Sequence, residues 1–297
     1  MKNIFGLICL SLLLTWISVA NIKGQTSNLS DELINLNNEA SEQALLKNYD
    51  RAIELFEKAI SLSPKFNIAR SNLANTLAYA ERYEEAIRRF KELIADEPDN
   101  VQAHIGLGKA LLDAGQASES VKAFRQSIQL APNNAAFHIK LGIALHHAQN
   151  YDEAFAEFNT AIRLAPEFAT AYNAKGVAFV TLNKLDEAIA NFEKAVRIDA
   201  SFADAYNNLG VVMTLQGKKK AAHKYYLKAA ELLPDSSRAQ YNLSLSFLQL
   251  GDRPAALKHF AHLKKLDAEL AERLSKQIYQ GYVLDAAALE ERVKTVP

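Results

Sequence analysis

The sequence predicts an all-α chain built as a tandem repeat, and three regularities carry that reading. First, Pro64, Pro98, Pro132, Pro166 and Pro234 are spaced by 34, 34, 34 and 68 residues, with Ala200 in the gap and Ala268 in the next place. A fixed period of this size marks an array of stacked supersecondary units. Cutting so that these residues take position 32 gives seven gapless units: 33–66, 67–100, 101–134, 135–168, 169–202, 203–236 and 237–270. Second, position 24 is aromatic in every unit: Phe56, Phe90, Phe124, Phe158, Phe192, Tyr226 and Phe260. Third, positions 20 and 8 stay small, the former Ala or Ser throughout, the latter Ala40, Ala74, Gly108, Gly142, Gly176, Gly210 and Ser244. Glycine inside a helix costs roughly 1 kcal/mol relative to alanine. Four at one register therefore need a packing reason: close approach of two helices, with the position-24 ring beside them.

Taken in chain order, residues 1–20 come first. "MKNIFGLICLSLLLTWISVA" has Lys2, an apolar run and then Ser18-Val19-Ala20, the pattern of a secretory signal with its small-residue cleavage site. The rival reading is an uncleaved anchor, since the apolar run of about 17 residues reaches the low edge of a membrane span. Both readings place the rest of the chain outside the cytoplasm, in a periplasmic, secreted or otherwise extracytoplasmic setting. Cleavage removes one lysine and no acid, so 33 basic groups face 34 acidic ones, and it removes Cys9, the only cysteine. A cysteine-free mature chain suits an oxidising compartment. Residues 21–32 read as a polar linker ending in Ser30, a good N-cap, with Asp31 and Glu32 in the first helical turn.

Each unit then reads as two helices. Gly115, Gly217 and Gly251 fall at position 15, where a first helix would end and turn. Asp50, Glu84, Asp152 and Asp186 open the second helix, where anions favour the dipole, and Pro254 sits in the same first turn, where proline is tolerated. After the last unit, "AERLSKQIYQ" reads as a capping helix over the exposed face of repeat seven, followed by a loose tail.

This pattern of small residues at 8 and 20, an aromatic at 24 and proline at 32 resembles the tetratricopeptide repeat over residues 33–270. Position 4 departs from it, carrying Tyr172 and Tyr206 in two repeats and His104 and His138 in two others where the family favours Trp. The resemblance implies a right-handed superhelical α-solenoid of seven helix-turn-helix repeats plus the C-terminal cap. It also implies that the first helix of each pair lines a concave groove.

Helix geometry, at about 100° per residue, assigns residues to that groove. Positions 4, 7, 8 and 11 form the buried arc; positions 2, 5, 6, 9, 12 and 13 fall opposite. The opposite arc carries a row of asparagines: Asn38, Asn72, Asn208 and Asn242 at position 6, Asn37, Asn173 and Asn207 at position 5, and Asn75 at position 9. A carboxamide donates and accepts at once, so such a row could hold an extended peptide by its backbone. The string "YNNLG" and the asparagine row are similar to the superhelical substrate-binding arm of O-linked N-acetylglucosamine transferase, although the repeats leave little chain for a catalytic domain. The alternative is a purely structural row.

The peptide-binding groove is accordingly expected to use Asn38, Asn72, Asn75, Lys109, Lys140, Asn173, Val177, Asn207, Asn208, Val211, Tyr241, Asn242 and Leu245. Its main contacts are expected in repeats five to seven, where apolar side chains cluster on the groove arc; the alternative is that the C-terminal cap folds back over them. No repeat has Lys at position 5, which argues against the carboxylate clamp of chaperone-binding relatives.

Composition excludes other classes. With 34 basic and 34 acidic side chains there is no electrostatic reason to bind nucleic acid. No phosphate loop, nucleophile elbow or HExxH string is present, so neither an enzyme nor a cofactor is expected. His259 and His262 could share a metal by spacing alone, but a solvated face is the plainer reading. Lys218-Lys219-Lys220 at positions 16 to 18 oppose the dipole of the helix that they open. The function expected is an exported, non-enzymatic scaffold for a protein or peptide partner. The alternative is a subunit of an envelope or secretion/pilus-type assembly that acts through its edges and tail with the groove idle. Membrane contact is expected only if the N-terminal segment stays uncleaved.

Overall fold

The fold is that of a computed structural model, which describes residues 31–276. Residues 1–20, expected to be a signal segment, the expected cleavage site, Ser30 and most of the tail lie outside the described residues. Within them the chain is helical throughout, with no strand. The helices are α1 (Asp31–Leu45), α2 (Tyr49–Leu62), α3 (Asn67–Tyr79), α4 (Tyr83–Asp96), α5 (Val101–Asp113), α6 (Ala117–Leu130), α7 (Ala135–His147) and α8 (Tyr151–Leu164). They continue as α9 (Ala169–Thr181), α10 (Leu185–Ile198), α11 (Ala203–Leu215), α12 (Lys219–Leu232), α13 (Ser237–Gln249) and α14 (Arg253–Leu266). A further helix, α15, covers 268–276.

The chain forms two compact units that divide within α8, the first ending at Ala154 and the second starting at Phe155. In the first, α1 through α7 pack each against the next in chain order; in the second, α9 through α14 do the same. The core of each unit is built from the repeated positions. Phe56 and Phe90 are buried in the first, Phe192 and Tyr226 in the second, and the alanines at position 20 (Ala52, Ala86, Ala188 and Ala222) have no exposed surface. The position-8 glycines are explained by those rings. A Cβ added at Gly108, Gly176 or Gly210 would lie 2.7, 2.6 or 2.5 Å from the ring of Phe124, Phe192 or Tyr226 of the same repeat.

The turn between paired helices has one geometry, repeated seven times. Residues at position 15 all have positive φ: Lys47, Glu81, Gln149 and Asn183 as well as Gly115, Gly217 and Gly251. The N–H of position 16 reaches back to the carbonyl of position 11, as in Gln116 to Leu111 (2.8 Å) and Asp252 to Phe247 (2.9 Å), while position 15 bonds position 12. This double bond satisfies carbonyls that a helix end leaves orphaned. Four repeats therefore hold a residue with a Cβ where left-handed backbone is needed, at a cost of roughly 1–2 kcal/mol each. Glu81→Gly relieves that cost but loosens the unfolded chain, which offsets about 0.4–1 kcal/mol. The expected net is a gain of up to about 1 kcal/mol, read as a higher urea midpoint; a lower midpoint would count against the strain argument.

Position 4 has a second structural task. His104 and His138 donate from Nε2 to the carbonyls of Pro98 and Pro132 (2.8 and 2.9 Å), and Gln240 does the same to Pro234 (2.7 Å). In repeats three, four and seven a polar tip at position 4 thus ties the first helix to the turn that precedes it.

The C-terminal end is covered. On α15, Ala271 and Leu274 are buried with Leu263 of α14, and Tyr241, Leu245 and Leu248 of α13 pack against that cluster. Tyr241 and Leu245, placed on the groove arc by the helical wheel, instead form part of the seat of the cap.

Candidate functional site

Six of the asparagines are paired with one another across neighbouring repeats. Asn72 donates from Nδ2 to Oδ1 of Asn37 (3.1 Å), Asn208 to Asn173 (2.9 Å) and Asn242 to Asn207 (2.8 Å). Each bond runs from position 6 of one repeat to position 5 of the repeat before, 35 residues earlier. Asn207 is only 4% exposed and Asn72 only 7%, so neither is the open-face carboxamide that the two-sided wheel assigned. A first helix in a stacked array touches its own second helix and both neighbouring first helices, and position 5 is turned toward the next repeat. The pairs link repeats one to two, five to six and six to seven.

The pairing leaves a second functional group. Asn208 and Asn242 are half-buried, and each commits one N–H to its partner, which leaves a carbonyl oxygen and a second N–H. Asn173 is half-buried and accepts from Asn208, and Asn38 is exposed on α1.

The apolar residues of repeats five to seven mostly pack between helices. Val211 lies against a cluster holding Met213, Tyr226 and Leu243, and Val180 against Phe192, Leu209 and Val212. Val177 (38%) and Leu215 (59%) remain exposed. The open volume is elsewhere. A cavity of about 440 Å³ lies in the first unit and brings together Asn72, Asn75, Lys109 and Lys140 from the predicted set. Its remaining lining was not read from the sequence: Ala44 and Leu45 at the end of α1, Lys47 in the turn that follows, Tyr49 and Phe56 on α2, Thr76 and Tyr79 on α3, and Ile105 and Gly106 on α5. Gly106 is a glycine for a packing reason rather than to open this space. The ring of Phe90 stands where its side chain would go, 2.4 Å from an added Cβ.

The electrostatics of this cavity are uneven. Lys109 places its ammonium 4.4 Å from the centroid of the Tyr79 ring, a cation–π contact. Burial pulls the Lys140 ammonium below its ordinary pKa, and the neighbouring Lys109 adds to that; Asp113 opposes both.

Other candidate groups are structural. His259 bonds Gln240 through Nδ1 (2.8 Å) and stacks on Phe247, so it is not on the solvated face expected from sequence. His262 reaches the Pro234 carbonyl (3.2 Å). Among the described residues no group of three or more metal-ligating side chains converges, and no helix is long and apolar enough to cross a membrane. Lys218, Lys219 and Lys220 are all exposed.

Comparisons with known proteins agree with this geometry. No curated relative matches the chain. Among solved structures, yeast Tom70 superposes with a TM-score of 0.71 at 20% identity, over 93% of this chain and 58% of that one. The Cut9-Hcn1 complex of the APC/C gives 0.62 at 15%, over 91% and 52%, so the chain spans little more than half the length of either. PilW, a type IV pilus biogenesis factor, gives 0.58 at 19%, over 72% of this chain and 99% of that one. At these identities the likeness is one of fold. Family models described as tetratricopeptide repeat match residues 28–66, 71–135, 106–167 and 203–236, and a further one described as TPR repeat matches 176–217. With helix pairs of the same register throughout, the chain belongs to the tetratricopeptide repeat family.

Proposed function

We propose that this protein is an exported, non-enzymatic scaffold whose first helices hold an extended segment of a protein partner. The observation that carries the reading is that Asn208 and Asn242, half-buried on successive first helices, each keep a donor and an acceptor beyond the one bond made to the preceding repeat. A peptide backbone in extended form presents matching groups, and each amide bond made to it contributes about 0.5–1.5 kcal/mol. The rival, an assembly subunit joined through its C-terminal edge, is less favoured because α15 already covers the apolar seat on α13.

The test separates holding the partner from holding the fold. A pull-down from envelope extract, with bound segments identified by mass spectrometry, supplies the peptide. Asn208→Ala with Asn242→Ala removes the open-face amides, and Asn173→Ala with Asn207→Ala removes the same internal bonds from the other side. Both double variants are expected to lose similar stability, about 1–3 kcal/mol for two bonds. Only the first is expected to weaken calorimetric affinity about tenfold, which is 1.4 kcal/mol. Equal affinity loss in both would make the row structural alone.

Export follows from residues 1–20 and has its own check. Processed protein is expected to begin at Asn21 and to lack tryptophan, because Trp16 is the only one. A mature mass that retains residues 1–20 would instead support the anchor.

A further inference from the structure

The second helices of the last two repeats differ in charge from those before them. Helices α2, α4, α6, α8 and α10 carry 14 acidic and 10 basic side chains between them, whereas α12 and α14 carry one and eight. The contrast extends to pairing. In the earlier repeats arginines meet carboxylates, as in Arg70 with Asp96 (2.7 Å), Arg82 with Glu85 (2.7 Å) and Arg125 with Glu153 (2.5 Å). Of the later cations, Lys228 pairs with Glu231 (3.5 Å). No carboxylate among the described residues stands within ion-pair distance of Lys218, Lys219, Lys220, Lys224, Lys258, Lys264 or Lys265, and all seven are exposed.

These lysines share one surface. Helices α12 and α14 both pack on α13, where the Phe247 ring lies 4.5 Å from the ring of His223 and 5.4 Å from that of His259. Lys224 and Lys258 take the same position, 22, in successive repeats of one register, so their side chains leave the two helices in the same direction. Lys220, Lys224 and Lys228 follow at intervals of four along one face of α12, with the exposed Leu227 among them. On α14, Lys258, Lys264 and Lys265 flank the exposed Leu257.

Left to itself, the arrangement is unfavourable. Like charges four apart on a helix repel, and Lys218, Lys219 and Lys220 oppose the dipole at the start of α12. An anionic partner relieves both effects, and two features select its kind. The unpaired cations are lysines, compact hydrated charges on flexible stems, whereas the planar fork of arginine suits discrete carboxylates and is what the earlier repeats use. Leu227 and Leu257, 38% and 37% exposed, stand among them. An apolar side chain so placed enters the acyl boundary of a bilayer while the ammonium groups stay with its headgroups.

We propose that α12 and α14 form a docking surface for a membrane rich in anionic phospholipid, with Lys220, Lys224, Lys258 and Lys264 at the headgroups and Leu227 and Leu257 inserted at the interface. The surface belongs to second helices and the peptide-holding amides to first helices, so the proposal is independent of that reading. It does not draw on residues 1–20 either, because the folded repeats themselves meet the lipid.

The test measures binding of the isolated protein, with its natural N-terminus, to vesicles of phosphatidylcholine alone and to vesicles containing about one third phosphatidylglycerol. The readout is the ratio of the two partition coefficients, since an apolar N-terminal anchor would raise both alike. A ratio of at least about a hundred is expected, and most of it should be lost in about 0.5 M salt, where such attraction is screened. Lys220→Gln/Lys224→Gln/Lys258→Gln/Lys264→Gln is expected to bring the ratio below about ten, whereas Lys→Arg at the same four positions should keep it. Lys58→Gln/Lys65→Gln/Lys91→Gln/Lys122→Gln removes the same charge from exposed lysines of the first unit and is expected to change the ratio by less than about threefold. Leu227→Ser/Leu257→Ser keeps every charge and is expected to weaken binding to the anionic vesicles about tenfold. A thermal melt near that of the parent confirms the fold of each variant. A parent ratio near one, equal loss from the two lysine sets, or no loss from the leucine changes would overturn the proposal. Lysine-dependent binding of poly-L-glutamate with no preference for anionic vesicles would reassign the surface to an acidic protein and overturn it as well. The peptide affinity of the Asn208 and Asn242 variants tests the peptide-holding reading separately.

Discussion

Phe192→Ala is expected to cost about 3–5 kcal/mol, and the same change is expected to reverse the sign of Gly176→Ala. Phe192 has no exposed surface, and its ring lies where a Cβ on Gly176 would go, 2.6 Å away. In the parent chain Gly176→Ala overpacks this contact and is expected to destabilise by about 1–3 kcal/mol, although alanine is the better helix former. Once the ring is gone, the space is open and only the propensity difference is left. Gly176→Ala should then stabilise by up to about 1 kcal/mol. A repeat array need not unfold in one step, so the readout is hydrogen exchange along α9 and α10 beside the urea midpoint. If Gly176→Ala destabilises equally in both backgrounds, the ring is not the reason for the glycine.

That contact was legible in the sequence because it recurs. A glycine and an aromatic sixteen residues apart, repeated at a period of 34, can be explained only by packing, and the helix pairs follow from it. The turn was half legible. Gly115, Gly217 and Gly251 marked it, while Lys47, Glu81, Gln149 and Asn183 adopt the same positive φ without announcing it. There the geometry is imposed by the two hydrogen bonds of the turn and by the helices on either side, so local preference is overridden.

The site was less legible, and the reason lies in counting faces. A helical wheel sorts residues into buried and open, whereas a stacked first helix has three packed flanks. Asn207 and Asn72 therefore read as open when they lie against the adjacent repeat. The sequence did hold the clue, since Asn37 and Asn72, Asn173 and Asn208, and Asn207 and Asn242 are each one residue more than a period apart. Of the apolar patch in repeats five to seven, the part in repeat seven follows the alternative reading, in which the cap folds over it. Tyr241, Leu245 and Leu248 serve α15 as the matching positions of other repeats serve the next first helix. A cavity, by contrast, is set by what is missing between helices distant in sequence, and no single residue of its lining marks it in advance.

Leu274→Ala is expected to loosen the C-terminal end by about 2–5 kcal/mol. Leu274 has no exposed surface and sits in the cluster that joins α15 to Leu263 of α14 and to Tyr241, Leu245 and Leu248 of α13. Truncation leaves a void at the contact through which α15 docks, and an isolated helix has little stability of its own without such docking. Undocking exposes the apolar seat on α13, and that repeat then has no neighbour on one side. Since each repeat is stabilised mainly by its neighbours, the loss should be graded along the chain. Hydrogen exchange is expected to speed most in α15 and α14, next in α13, and not measurably in α1 through α5. Deleting residues 271–297 should give the same pattern at larger amplitude, with greater binding of a hydrophobic dye at the uncovered end. Uniform acceleration along the whole array would show that the chain unfolds as one block and that α15 is no cap.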